Sequence, residues 1–234
     1  MRHPGHREAH TDTSTATRPA ADRRSPEPHL DALRAAFEAG VRPERRDWPA
    51  RTAANPARVA AAFAAAGRVC GRADLAGIAG WTCDDAARVL LLHAVARGRD
   101  GGPAPVDPTA LVRALYDRGD PCERRAVLRA LPYLPDVDPA SARELVEDAL
   151  RTNDHRLIAA AMGPCAQVLD AAAWRHGVLK CLFVGLPPTP TVADLDQRAD
   201  AELARMLRDL GRERSAAGRP SPTGLEPIAT AFAP

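Results

Sequence analysis

Lys180 is the only lysine among the 32 basic residues of this 234-residue chain, and it interrupts the apolar run Val178-Leu-Lys-Cys-Leu-Phe-Val184. Where arginine supplies the generic surface cation, a lone ammonium marks a position that wants a compact charge. Three chemistries suit it: a salt bridge between helices, contact with a phosphate or carboxylate ligand, or, with a lowered pKa, Schiff-base formation. The salt bridge is favoured, because the sequence offers no obvious companion acid–base system and His155 and His176 read first as ordinary surface or core histidines. Asp194, Asp196, Asp200 and Glu202 are the carboxylates closest in sequence beyond it. Arg198 and Arg205 lie about two turns apart and could point with Lys180 into a local basic pocket, with Asp196 as orienting group or base. Together with Asn153, a candidate helix cap, they form the ligand set Lys180, Asp196, Arg198, Arg205 and Asn153. No residue is assigned a catalytic role.

Other reactive side chains point to structure rather than chemistry. Cys70, Cys83, Cys122, Cys165 and Cys181 form no C-x-x-C pair and have no histidine at zinc-finger spacing, so they read as small buried hydrophobes in a reducing compartment and no metal is expected. His3, His6 and His10 lie in a polar segment that fixes no ligand geometry. No cofactor motif or phosphate loop is present. With 32 basic and 30 acidic residues, the formal charge of +2 lacks the footprint of phosphate-backbone binding, so nucleic acid is not an expected partner. There is no signal-like apolar stretch and no run of about 18 apolar residues, which predicts a cytoplasmic protein that does not span a membrane.

The elements that must position these residues are helices. Aromatic residues make up only 4% of the chain, so the core must come from Leu, Val and Ala. Asn55-Pro56, Asp107-Pro108, Asp120-Pro121 and Asp138-Pro139 each place a side-chain acceptor at an N-cap and proline at the first helical position. Thr82 to Asp85 resembles a capping box with Asp in place of Glu, and its helix stops near Gly98. Apolar residues recur at helical spacing in Leu30, Leu33 and Phe37; Val59 and Phe63; Leu111, Val112 and Leu115; Val127, Leu128 and Leu131; and Leu145, Val146 and Leu150. The expected fold is all-α: a single domain of packed antiparallel helical hairpins, either an orthogonal bundle or a short HEAT-like array, although no repeat period is visible. Residues 1–29 read as a disordered polar tail, 30–219 as the helical domain, and 220–234 as an irregular tail, with Gly98 to Pro105 the most flexible internal loop.

In the C-terminal third the punctuation predicts a helix from about Ala140 to Arg151, a second capped by Asn153, a third from Asp170 through Val184, and a last one from about Asp194 or Arg198 to Ala217. The third is apolar nearly all round, which predicts burial against several neighbours and a compensating partner for Lys180. Glu202, Arg205 and Asp209 on the last helix have i,i+3 and i,i+4 spacing, which suits a stapled, solvated face.

Leu150-Arg-Thr-Asn153, Ala173-Trp174 with Val178-Leu-Lys-Cys-Leu-Phe-Val-Gly185, Leu195-Asp-Gln-Arg-Ala199, Ala201-Glu-Leu-Ala-Arg-Met-Leu207 and Glu213-Arg-Ser-Ala-Ala-Gly-Arg219 resemble the EboA family in type and spacing. Trp81 with Asp84 to Leu92 extends the resemblance toward the middle. The resemblance implies a bacterial helical protein from a gene cluster that also encodes a UbiA-like membrane prenyltransferase and metabolic-enzyme-like proteins. Such clusters are linked to a membrane-associated small metabolite and, in cyanobacteria, to moving a pigment precursor to the periplasm. Thr152, Asn153, Trp174, Lys180, Asp196, Arg198, Glu202, Arg205, Glu213 and Arg214 match the family pattern; Gln197, Asp200 and Leu210-Gly211-Arg212 depart from it. The expected role is a non-catalytic accessory protein that binds a partner from the same gene cluster or a polar intermediate. The alternative is an enzyme or carrier for a phosphorylated or prenylated small molecule, using Lys180, Arg198 and Arg205 as an anion pocket.

Overall fold

Asp107, Asp120 and Asp138 start helices as their Asp-Pro signatures predict, each accepting a backbone N–H of the first turn. Asp120 and Glu123 complete a capping box. The computed structural model describes residues 30–98 and 106–231. The expected N-terminal tail and all of the Gly98–Pro105 loop beyond Gly98 lie outside the described residues.

Among the described residues there are thirteen α-helices and no strand, packed as a single all-α domain. They are α1 (Leu30–Gly40), α2 (Trp48–Ala53), α3 (Val59–Cys70), α4 (Cys83–Ala96), α5 (Pro108–Arg118), α6 (Pro121–Ala130) and α7 (Pro139–Arg151). There follow α8 (His155–Ala161), α9 (Ala171–Phe183), the short α10 (Pro188–Thr191) and α11 (Leu195–Arg198), α12 (Ala201–Ala216) and α13 (Leu225–Ala231).

α4 is the hub. It packs against α1, α2, α3 and α6; α6 in turn carries α5 and α8, and α7 packs on α5, α8 and α9. Every residue from Cys83 to Leu92 is buried, including Asp84, Asp85 and Arg88. A helix surrounded in this way has no wet face on which to leave a charge, so each ionised group needs an internal partner. The Asp85 carboxylate receives Nε and Nη2 of Arg125 at 3.1 and 3.0 Å and Nη1 of Arg129 at 2.7 Å, both from α6. Asp84 accepts Nη1 of Arg88, one turn on, at 2.6 Å. Arg88 Nε donates to the Phe63 carbonyl of α3 at 2.9 Å, and the guanidinium lies 5.6 Å from the Phe63 ring centre.

The loop before α4 closes over this network. Leu75 N donates to Trp81 O at 2.8 Å and Cys83 N to Ala73 O at 2.9 Å, with Gly77 and Gly80 taking the left-handed φ values of 80° and 74° that the turn requires. Trp81 then lies 4.5 Å from the Arg129 guanidinium, whose Nη2 donates to Gly80 O at 2.9 Å. Thr82 does not complete the expected capping box. Its hydroxyl donates toward Asp84 Oδ1 at 2.6 Å, with Asp85 Oδ2 at 3.0 Å, because both carboxylates are held inward by arginines.

Other boundaries move for local reasons. Asn55 makes no side-chain cap, and Pro56–Arg58 forms a 3-10 turn before α3. Asp154, not Asn153, caps α8, accepting from the N–H groups of Arg156 and Leu157. The last long helix begins at Ala201 rather than near Asp194, since Ala199 is extended and Asp200 accepts from Leu203 N as the effective cap. The stretch 220–234 is not wholly irregular: Leu225 and Ile228 bury their side chains and α13 packs on α12.

Replacing Asp85 with alanine strips the buried Arg125 of its carboxylate and Arg129 of one partner, and is expected to cost about 3–5 kcal/mol in urea denaturation. A loss under about 1 kcal/mol would mean that the network behaves as a surface pair.

Candidate functional site

α9 enters the fold through Asp170, which caps it by accepting from Ala173 N and also receives Arg143 of α7 at 2.8 Å. Gly177 lets it approach α8 closely: a Cβ there would stand 2.3 Å from Met162 Sδ. Gly185, at φ 82°, ends it, with Leu186 N donating to Cys181 O at 2.8 Å. Trp174, Val178, Cys181 and Leu182 face the core as the periodicity predicts. α9 meets α7 and α10, as burial against several neighbours requires, but it is not covered all round. Phe183 is 66% exposed, one turn from Lys180 and two from the exposed His176, so α9 keeps an outer face in water.

The predicted site residues separate into distinct environments. Lys180 and Asn153 come together, with Nζ donating to Asn153 Oδ1 at 2.9 Å. The partner is a neutral amide in the turn between α7 and α8, not one of the carboxylates beyond the proline turn. That turn is built by Thr152, whose hydroxyl donates to Ala149 O at 2.8 Å. Asp200, a carboxylate expected near Lys180, instead receives Nε of Arg175 at 3.0 Å, fixing the start of α12 against α9.

Arg198 serves the fold. Its Nη1 and Nη2 donate to Ala166 O and Leu169 O, both at 2.9 Å, and its guanidinium lies 4.9 Å from the Trp174 ring centre. These carbonyls belong to the 3-10 turn Pro164–Val168 and the residue that closes it. Desolvation pulls the Arg198 pKa below its ordinary value, against the pull of Asp194 and Asp170. Arg205 pairs with Glu202 and Asp209 on the exposed face of α12, as the spacing predicts, and the Glu202 hydrogen bonds raise its pKa. Asp196 is exposed on α11. The guanidiniums of Arg198 and Arg205 are therefore committed to carbonyls and carboxylates of their own surroundings.

The residue set that sequence reasoning passed over is the network of Asp84, Asp85, Arg88, Arg125 and Arg129. Its signal was the i,i+4 pairs Asp84/Arg88 and Arg125/Arg129 set within apolar helices, a pattern equally open to solvated faces. Three guanidiniums face two carboxylates, and Arg88 Nη2 is buried without a hydrogen-bond partner. Burial raises the Asp84 pKa, but the hydrogen bonds from Thr82 and Arg88 and the neighbouring charges outweigh it and hold the carboxyl below its ordinary value. Asp84 thus remains an anionic partner of Arg88.

The thiols of Cys70, Cys83 and Cys181 are poor nucleophiles. Burial pushes Cys181 up to about 12 and Cys70 up to about 11, and also raises Cys83. Cys165 is buried with its Sγ 3.1 Å from Ala160 O. Cys122 alone of the five is not buried.

This all-α domain, with a sealed charge network and one face of α9 left in water, belongs to the EboA family. The family model described as metabolite traffic protein EboA matches residues 53–227, from the end of α2 into α13. No curated protein and no solved structure matches the chain. The family description places it in metabolite traffic. Among the described residues no helix is long and apolar enough to cross a membrane.

Two outcomes follow from these environments. Arg198→Lys keeps the charge but loses the paired carbonyl contacts, and should destabilise the fold by about 1–3 kcal/mol, whereas Lys180→Met should stay within about 0.5 kcal/mol in the same urea titration. With iodoacetamide at about pH 8, the native protein should label at Cys122, and the other thiols should react only after denaturation.

Proposed function

We propose that this chain is a non-catalytic accessory protein of metabolite traffic that docks onto another protein encoded in its gene cluster through the outer face of α9. Phe183 carries the reading. The other large apolar side chains of α9 are buried or half-buried, whereas this phenyl is 66% in water. Covering it would gain about 1.5–3 kcal/mol from apolar burial alone. Lys180 stands one turn away with its ammonium held by a single neutral acceptor, leaving two N–H donors for a partner.

An aromatic anchor beside an oriented cation selects its complement: an apolar socket with a carboxylate at its rim. Asp170, Gly177 and Gly185 set α9 rigidly against the core, so little ordering is required on association. The thiols held protonated by burial, and the acidic groups engaged by arginine, support a binding role over a catalytic one.

The test is affinity purification of the tagged full-length chain from its native host, with quantitative mass spectrometry of what accompanies it. One cluster-encoded protein should be recovered near stoichiometrically with wild type. Phe183→Asp should weaken that association by about 2 kcal/mol or more while the melting temperature is maintained. Equal recovery by both proteins, or no cluster-encoded protein with either, overturns the docking face.

A further inference from the structure

α12 carries a second stripe of charge that neither α9 nor the buried network uses. Arg208, Arg212, Ser215 and, beyond the helix end, Arg219 follow one another along the side that meets α13. Ser221 in the connecting turn and Leu225, Glu226 and Ala229 of α13 form the opposite wall, enclosing a cleft of about 510 Å3.

The walls are held by specific bonds. Gly218 takes φ 65°; its N–H donates to Ser215 O at 3.0 Å and that of Arg219 to Arg214 O at 2.8 Å. This paired helix ending reverses the chain, so Arg219 returns to the cleft instead of continuing along the helix axis. Arg214 Nε donates to Pro220 O at 2.9 Å, and Arg208 Nη1 reaches Ala229 O at 3.3 Å across the far end. Gly211 lines the floor. An added Cβ would meet only Leu225 Cδ2, at an ordinary 3.7 Å, so packing against α13 does not require glycine there. Glycine in mid-helix is nevertheless disfavoured, and here it keeps the cleft open.

Three guanidiniums and one carboxylate line the space, and although Asp209 is salt-bridged to Arg212, positive charge stays in excess there, which suits a phosphate ester. Arg212 gives one N–H group to Asp209 and Arg208 one to Ala229, and both retain further donors. Guanidinium forks fit phosphate oxygens, the Ser215 and Ser221 hydroxyls add donors, and Leu225 and Ala229 offer apolar surface to a carbon skeleton. We propose that this cleft binds the phosphate group of a small phosphorylated metabolite. The site lies apart from the α9 face and stands or falls independently of the docking reading.

Isothermal titration calorimetry of the full chain, in phosphate-free buffer of low ionic strength, tests it with glycerol 3-phosphate as probe and glycerol as the uncharged control. Saturable binding of the phosphate ester and none of glycerol is expected. Arg212→Ala and Arg219→Ala should each weaken it about tenfold or more. Gly211→Leu, which fills the floor, should abolish it, and Arg118→Ala, on the exposed end of α5, should leave it unchanged. Arg219 lies outside the helix and is exposed, so its variant decides the matter even if Gly211→Leu disturbs folding. Lack of saturable binding, or equal affinity in Arg219→Ala and wild type, overturns the site. Capture by phosphatidylglycerol vesicles without any binding of glycerol 3-phosphate also overturns it, in favour of a membrane headgroup.

Discussion

The carboxylate of Asp85 is the constraint around which the domain is arranged. It is fully buried on a helix with no wet face, and an anion in that position is tolerated only if cations are brought to it. Arg125 and Arg129 do so from α6, and their spacing of one turn sets which face of α6 meets α4. Arg129 extends the constraint outward, since its fork also takes the Gly80 carbonyl and its plane lies against Trp81. One acid thereby ties α4, α6 and the preceding loop, while Arg88 adds α3 through the Phe63 carbonyl. A network of this kind contributes less net stability than an apolar core of equal volume, but misplacing any member strands a charge. Its strength is register.

What was legible in the sequence was mostly backbone punctuation. Asp-Pro signatures marked the starts of α5, α6 and α7 because cap and proline are local effects that need no tertiary partner. Apolar periodicity likewise identified the inward face of α9. What failed were inferences about which charge is buried. The run around Lys180 is more continuously apolar than α4, yet Phe183 faces water and α4 is sealed with three ionised groups inside it. Hydropathy sums cannot see that Asp85 meets arginines forty positions later, because that pairing exists only after α4 and α6 have packed. Asn153 shows the same limit locally: Asp154 is the cap, which frees the neighbouring amide to accept from Lys180.

The almost exclusive use of arginine becomes intelligible once the partners are known. Arg125 spreads two donors over one carboxylate, Arg198 reaches two carbonyls and covers an indole, and Arg129 joins a carboxylate to a carbonyl over a second indole. Each task uses a planar fork whose donors point in fixed directions, and a flat cation that can lie on a ring. An ammonium can do neither.

Lys180 has a different task. Its acceptor is a single amide oxygen in a turn, and beside it stands a phenyl exposed to water. A guanidinium there would hold the turn equally well, but would spread its charge and several donors over the surface that Phe183 occupies. The ammonium keeps its charge compact, spends one donor on Asn153 and leaves the others aimed outward. Only there does the chain use lysine, at the junction of a fixed helix, a neutral anchor and an apolar face in water. The choice of cation thus follows the division between interior and surface: forks where charges must be registered inside the fold, and a point charge where one is offered outward.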